Sequence, residues 1–222
     1  SRSDWSVGAP EEGILSKDPI RILHFPSLMT RAGTQTLLMG VYRNLDRTKV
    51  QFDFVVHTEQ PSDFDDEIAR LGGRIFRVPS PRAVGPVRFA TGVDAILRRP
   101  DGFAGIHAHL YLFSGYLLWL AHRAGVRMRI SHSHTAPETK GMPVHRAIYG
   151  RFMRRLIRTH ATHILACSHL AAGSLFGPDY AGDPRFRLLR NAVDLEPFRA
   201  QDDDLAALRA RLGLPERATI VG

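Results

Sequence analysis

The sequence predicts a doubly wound α/β fold with a parallel sheet, and three features carry that prediction. Short apolar runs rich in β-branched and aromatic residues recur along most of the 222 residues. A single helical segment separates each run from the next, which requires right-handed crossovers and leaves both faces of the sheet covered. Hydrophobic residues make up 44% and charged residues 23%, the composition of a folded chain with one good core.

Ile20 to Phe25, IRILHF, reads as the first strand, closed by Pro26. Leu37, Leu38, Val41, Tyr42 and Leu45 then recur at helical spacing, in a helix that Thr34 can cap. Val50 to Thr58 is the second strand, and Ser62 to Leu71 opens with Ser and acids, as a helix start favours, before Gly72-Gly73 ends it. A third strand starts at Arg74, a helix spans Val87 to Arg99, and GIHAHL from Gly105 is the fourth strand. Tyr111 to Ala124 forms a helix stopped by Gly125, VRMRISHSH is the fifth strand, and TAPETKGMP is a loop. A long helix from Val144 to His160, the strand THILACS and a short helix to Phe176 continue the alternation. After RFRLLRNAVD the chain turns polar, becomes helical up to Leu214, and starts a further apolar strand at ATIVG. These shifts suggest a loose leader at 1–19, a domain at 20–195, and at 196–222 a linker helix with the cut-off start of a second domain.

The formal charge of +8 comes from arginine, since Lys17, Lys49 and Lys140 are the only lysines. That balance suits anionic lipid, phosphorylated substrates or nucleic acid, and a general preference for arginine explains it equally well. No aromatic-interleaved basic strand or known binding motif is visible, which disfavours nucleic acid. Cys167 is the sole cysteine, so no intrachain disulfide forms and a cytoplasmic setting is favoured. The leader has no apolar run of signal-peptide type. Phe103 to Ala121 lacks Lys, Arg, Asp and Glu, but its histidines and glycines fit a strand and a buried helix better than a membrane span.

Ligands of open parallel sheets gather at the carboxyl ends of the strands, so residues just after each strand are the candidates. Gly33 follows the first strand, beside Thr34. It either lets a backbone amide approach phosphate at a helix N-terminus or only supplies a positive backbone angle. Neither GxGxxG nor GxxxxGK[ST] occurs there, which disfavours an ordinary dinucleotide enzyme or P-loop NTPase. His107/His109 and His132/His134 form two H-x-H pairs at strand tips, and a period of two puts each pair on one face. They read as the metal ligands of a hydrolase, as groups that bond a hydroxyl or phosphate in a cleft, or as packed histidines. No carboxylate lies between Asp101 and Glu138, so Asp179 or Asp194 would have to be recruited, which counts against a metal. Arg151, Arg154, Arg155 and Arg158 share one face of the long helix, opposite Ile148, Tyr149, Phe152, Met153 and Leu156. That face suits an anionic membrane surface or plain solvent, and a non-catalytic membrane-surface or partner-binding domain is a further reading. Ser168 is expected to cap the next helix and Cys167 to pack in the core.

RAGTQTLLMGVYRNLDRTKVQFDFVVHT, GIHAHLYLFSGYLLWLAHRAGVRMRISHSH, THILACSHLAAGSLFG and LLRNAVDLEPF together cover most of 20–198. In combination they resemble the N-terminal half of the family four glycosyltransferases of GT-B fold, particularly bacterial capsular and exopolysaccharide enzymes. The resemblance implies two Rossmann-like domains, with a nucleoside-diphosphate sugar held mainly by the second and the acceptor mainly by the first. It implies transfer with retained anomeric configuration to a glycan or lipid-linked acceptor, without a cofactor or metal, in a protein that is cytoplasmic or peripheral at the membrane. Gly33 then matches the turn near the donor phosphates, with Ala32 where relatives often carry a second glycine. His109 matches the histidine beside the transferring sugar, and His134, or less closely His132, a second cleft position. Asn191 and Asp194 match the segment entering the interdomain linker, with Ala192 in a position where glycine is frequent.

Overall fold

The computed structural model describes residues 18–137, 143–196 and 202–215. The leader up to residue 17 and the expected strand at ATIVG lie outside the described residues. Contacts divide the chain between Asn191 and Ala192. The larger unit holds seven parallel strands: β1 (Ile20–Ser27), β2 (Val50–Val56), β3 (Ile75–Arg77), β4 (Gly105–Ala108), β5 (Met128–Ser133), β6 (His163–Ala166) and β7 (Phe186–Leu188). Its helices are α1 (Gly33–Asn44), α2 (Asp65–Arg70), α3 (Pro81–Val84), α4 (Pro86–Leu97), α5 (Ser114–Arg123), α6 (Val144–His160) and α7 (His169–Phe176). In the smaller unit, α8 (Asp202–Arg211) is the helix expected before Leu214.

The strand order is β3-β2-β1-β4-β5-β6-β7, with every neighbouring pair parallel. The chain winds outward one way from β1 and the other way from β4, so the topological switch point lies between these two strands. One core, around Leu23, Phe25, Ile106, Leu117 and Leu118, joins α4 and α5 to the sheet. A second, around Ile22, Phe52, Phe54, Met39 and Tyr42, joins α1 and α2. Each of these large side chains stabilises the fold by roughly 1.5–3 kcal/mol on burial.

Several sequence expectations are corrected. Pro26 does not close β1; the register with β2 shifts between His24 and Ser27, and that irregularity accommodates a residue without an N–H. Thr34 does not cap α1, because the helix already begins at Gly33, with Ala32 at the N-cap and no side-chain cap bond. The proline pair Pro81 and Pro86 starts two helices where one was expected, broken at Gly85 with φ 79°. RFRLL supplies β7, an edge strand too short to show a pattern.

The apolar stretch at Phe103 divides into β4 and α5, the strand and helix expected, with a 3-10 turn at Tyr111–Phe113 where the helix was expected to begin. No helix of the described residues is long and apolar enough to cross a membrane. Gly115 is a packing residue, since a Cβ there would collide with the Met153 carbonyl. This close approach fixes the rotation of α6. Gly150, Met153 and Ile157 turn inward, leaving Ile148, Tyr149 and Phe152 exposed beside Arg151 and Arg155 rather than opposite them. Arg154 leaves the basic face altogether and donates to the Ser174 and Leu175 carbonyls of α7. Ser168 caps α7 as expected, accepting from the Ala171 amide at 3.1 Å.

Candidate functional site at the switch point

In parallel strands, side chains level with one another share a face. His24 on β1 stands level with His107 on β4, and Ala108 with Ser131 on β5. His109 and His134 continue the same alternation past the strand ends. The two H-x-H pairs therefore meet across the sheet, and His24 joins them. Ring centroids are 5.1 Å apart for His24 and His107, 4.1 Å for His107 and His109, and 4.0 Å for His132 and His134.

His109 sits in the middle. Its Nε2 lies 3.2 Å from His24 Nδ1, and its Nδ1 lies 2.9 Å from His134 Nε2. A neutral imidazole donates from one nitrogen and accepts at the other, so both bonds of this three-ring chain run in the same direction. Of the outer nitrogens, His24 Nε2 and His134 Nδ1, one is then an N–H and the other a lone pair, and neither has a partner. His107 Nε2 and His132 Nδ1 form a parallel pair at 3.2 Å, which leaves His132 Nε2 unpartnered as well.

All five rings are held neutral. Burial, reinforced by neighbouring histidines, pushes His24 and His109 well below the usual histidine range. The same two causes lower His107 to about 3 and His132 to about 2, and burial lowers His134 to about 4. Two groups, His24/His107/His109 and His109/His132/His134, bring their ligand atoms within 4.8 Å of one another, close enough to hold a metal ion. Neither includes a carboxylate. Without a metal, the cluster offers neutral donors and acceptors to hydroxyls and phosphate oxygens.

Backbone strain gathers at the same edge. Ser27, ending β1, and Tyr111, two residues past His109, are the non-glycine residues with positive φ among those described, at 77° and 49°. Such conformations persist where surrounding structure holds a site in place.

Gly33 begins α1, the helix that follows β1. It does not have a positive φ, so that reading of the glycine is overturned. A Cβ added there meets nothing within 4 Å, and the first turn of α1 carries neither a side-chain cap nor an acid. The start of this helix is thus open to an anion, with Thr34 half-buried beside it. Asn191 lies exposed just past β7, and β7 is two strand spacings, roughly 10 Å, from β5 and three from β4.

His24 is the member that sequence reasoning missed. A polar residue inside the apolar run IRILHF was the available signal.

The chain matches the sequence profile of a glycosyl transferase 4-like domain over residues 32–192. It is 35% identical over 202 residues to the putative glycosyltransferase EpsF of Bacillus subtilis, covering 91% of this chain and 53% of EpsF. It is 25% identical over 157 residues to the capsular polysaccharide biosynthesis glycosyltransferase CapH of Staphylococcus aureus, covering 70% and 42%. The fold is similar to Anabaena HepE, solved in complex with UDP and glucose, with TM-score 0.65, 15% identity and coverage of 87% and 50%. It is also similar to a Rickettsia africae glycosyltransferase, with TM-score 0.60, 12% identity and coverage of 90% and 51%. The chain spans about half the length of these curated relatives.

Proposed function

We propose, from the premise that this chain belongs to the glycosyl transferase 4-like domain family, that it forms the acceptor-side half of a sugar transferase. The enzyme moves a sugar from a nucleoside-diphosphate sugar to a glycan or lipid-linked acceptor in surface polysaccharide synthesis. The observation that carries this reading is the neutral histidine cluster at the switch point, with three buried ring nitrogens awaiting partners. The likeness to CapH supports a polysaccharide product.

In this reaction the bond from the anomeric carbon to the diphosphate oxygen breaks, and a bond to the acceptor oxygen forms on the same face. The acceptor proton passes to the leaving phosphate, so configuration is retained. Gly33 and Thr34 amides stabilise the diphosphate as its charge grows, and the dipole of α1 adds to them. His109 exchanges one of its histidine partners for a hydroxyl of the transferring sugar, which a neutral ring does without expelling a charge. His107, His132 and His134 line the cleft behind it. The remaining grip on the donor comes from a second domain joined through the segment after Asn191, and transfer proceeds without a cofactor or a metal ion. The family match favours transfer over metal-dependent hydrolysis.

The exposed Ile148 and Phe152, flanked by Arg151 and Arg155, support attachment of the enzyme to an anionic membrane surface.

The test is to supply a full-length protein carrying this chain with UDP-glucose and other nucleotide sugars, together with membrane extracts as acceptor. Release of nucleoside diphosphate that persists in EDTA, with a product of the donor's anomeric configuration, is expected. Release abolished by EDTA, or a product of inverted configuration, contradicts the mechanism, and release with no glycosylated product contradicts the transfer.

A further inference from the structure

The carboxyl ends of β1, β2 and β3 open on a second cleft, distinct from the histidine rings, of about 850 Å³. This volume lies within the range of small-molecule sites. Ser27 and His57 line it from the strand ends, Phe113 and Tyr149 supply aromatic walls, and Arg82 and Arg146 reach it from α3 and α6. Leu110, the residue after His109, is also part of its lining, so the cleft adjoins the proposed transfer site.

The two guanidinium groups decide what it takes. Most arginines along the sheet are engaged: Arg21 and Arg74 with Asp53, Arg77 with Asp65, and Arg185 with Asp183. The guanidinium groups of Arg82 and Arg146 have neither an ion pair nor a hydrogen bond among the described residues. Arg82 acts electrostatically on Tyr149, which places its charge beside the aromatic wall. Two like charges facing one cleft repel each other unless an anion joins them, and a planar guanidinium matches a carboxylate or phosphate in shape. A cation pair and aromatic faces on one cleft together describe a site for a negatively charged saccharide.

We infer that this cleft is the acceptor subsite and that Arg82 and Arg146 select an acceptor bearing an anionic group. Naming the ligand an acceptor rests on the transferase reading; the charge selectivity does not. The anion comes from one of two sources: a uronic acid carboxylate within the glycan, or the phosphate that links a glycan to lipid.

Isothermal titration of the 222-residue chain separates them, using a glucuronate-containing disaccharide, its neutral glucose-containing analogue and inorganic diphosphate as probes. At least one charged probe is expected to bind about tenfold or more tightly than the neutral disaccharide, and each of Arg82→Gln and Arg146→Gln to remove most of that advantage. Both arginines are exposed, so circular dichroism should show folded variants. Preference for glucuronate assigns the anion to the sugar, and preference for diphosphate assigns it to the lipid linkage. The inference is overturned if the neutral probe binds as well as both charged ones, if no probe binds, or if both variants keep full affinity. It is also overturned if Arg70→Gln, on α2 outside the cleft, weakens binding equally, since general attraction to a basic protein would then explain the result. Charge-selective binding by the chain, alongside a full-length protein that transfers no sugar, would remove the transferase reading and leave the anion site standing.

Discussion

Asp53 and His24 lie on adjacent strands, are 0% and 1% exposed, and differ in how completely their polar atoms are matched. Both carboxylate oxygens of Asp53 are occupied, Oδ1 by Arg21 and the Arg74 amide at 2.6 and 2.8 Å, Oδ2 by Arg21 and Arg74 side chains at 2.7 and 2.8 Å. His24 has one bonded nitrogen and one without a partner, and His132 and His134 repeat that pattern. A saturated cluster has no capacity left for a ligand and acts on stability. An unsaturated one costs stability and keeps polar atoms available, as a binding site must.

The largest expected effect that tests this contrast is acid unfolding. A histidine whose folded pKa is depressed binds its proton in the unfolded chain first, so its contribution is complete above the unfolded value of about 6.5 and lost as pH falls below it. All five act in this direction, so their losses compound as pH falls below that value. Asp53 behaves differently. Burial alone would raise its pKa, but the hydrogen bonds from Arg21 and Arg74 lower it, so its contribution is complete above the unfolded value of about 3.9 and is lost as pH falls from there through the depressed one. Circular dichroism should therefore record unfolding between pH 6 and 4, roughly where the histidines and not Asp53 become protonated. A fold intact at pH 4 would show that the rings are less buried than described.

Asp53→Ala leaves two arginines without their buried partner and should cost about 3–5 kcal/mol in urea denaturation. His24→Phe retains the ring packed 4.2 Å from Phe52 and deletes both the unpartnered Nε2 and the Nδ1 bonded to His109, a relief and a loss that offset, so stability should change by no more than about 1.5 kcal/mol. Equal losses in the two variants would erase the distinction between the clusters. Gly33→Ala, at a site without positive φ or steric conflict, should stabilise the chain by about 0.4–1 kcal/mol while weakening nucleotide-sugar binding in a full-length protein. Unchanged binding would exclude the helix start from the donor site. Smallest in energetic terms, Phe152→Asp should leave stability within about 0.5 kcal/mol and reduce sedimentation with anionic liposomes. Undiminished sedimentation would release α6 from a membrane role.

Period and composition made the strand–helix alternation legible, and α6 was read to its observed ends, Val144 and His160, because loop and strand signals flank it. The orientation of α6 was not legible. Its two apolar groups are nearly equivalent in sequence, and only the approach of Gly115 to Met153 selects the inward one. The H-x-H pairs were visible as pairs, since alternation is local, but their meeting depends on β4 lying between β1 and β5, a nonlocal fact of strand order. His24 was hidden for the same reason, and so was the matched Asp53 cluster, whose arginines stand 32 and 21 residues away.

The most direct measurement is the rate of nucleoside diphosphate release by a full-length protein with His109→Ala, compared with wild type, alongside the denaturation midpoint of each. The histidine cluster as a working site predicts a rate lower by about 10²–10⁴-fold, measured where the variant is still folded despite the lower midpoint that losing two ring hydrogen bonds brings. Wild-type turnover by the variant would contradict it and return the five rings to the status of packed side chains.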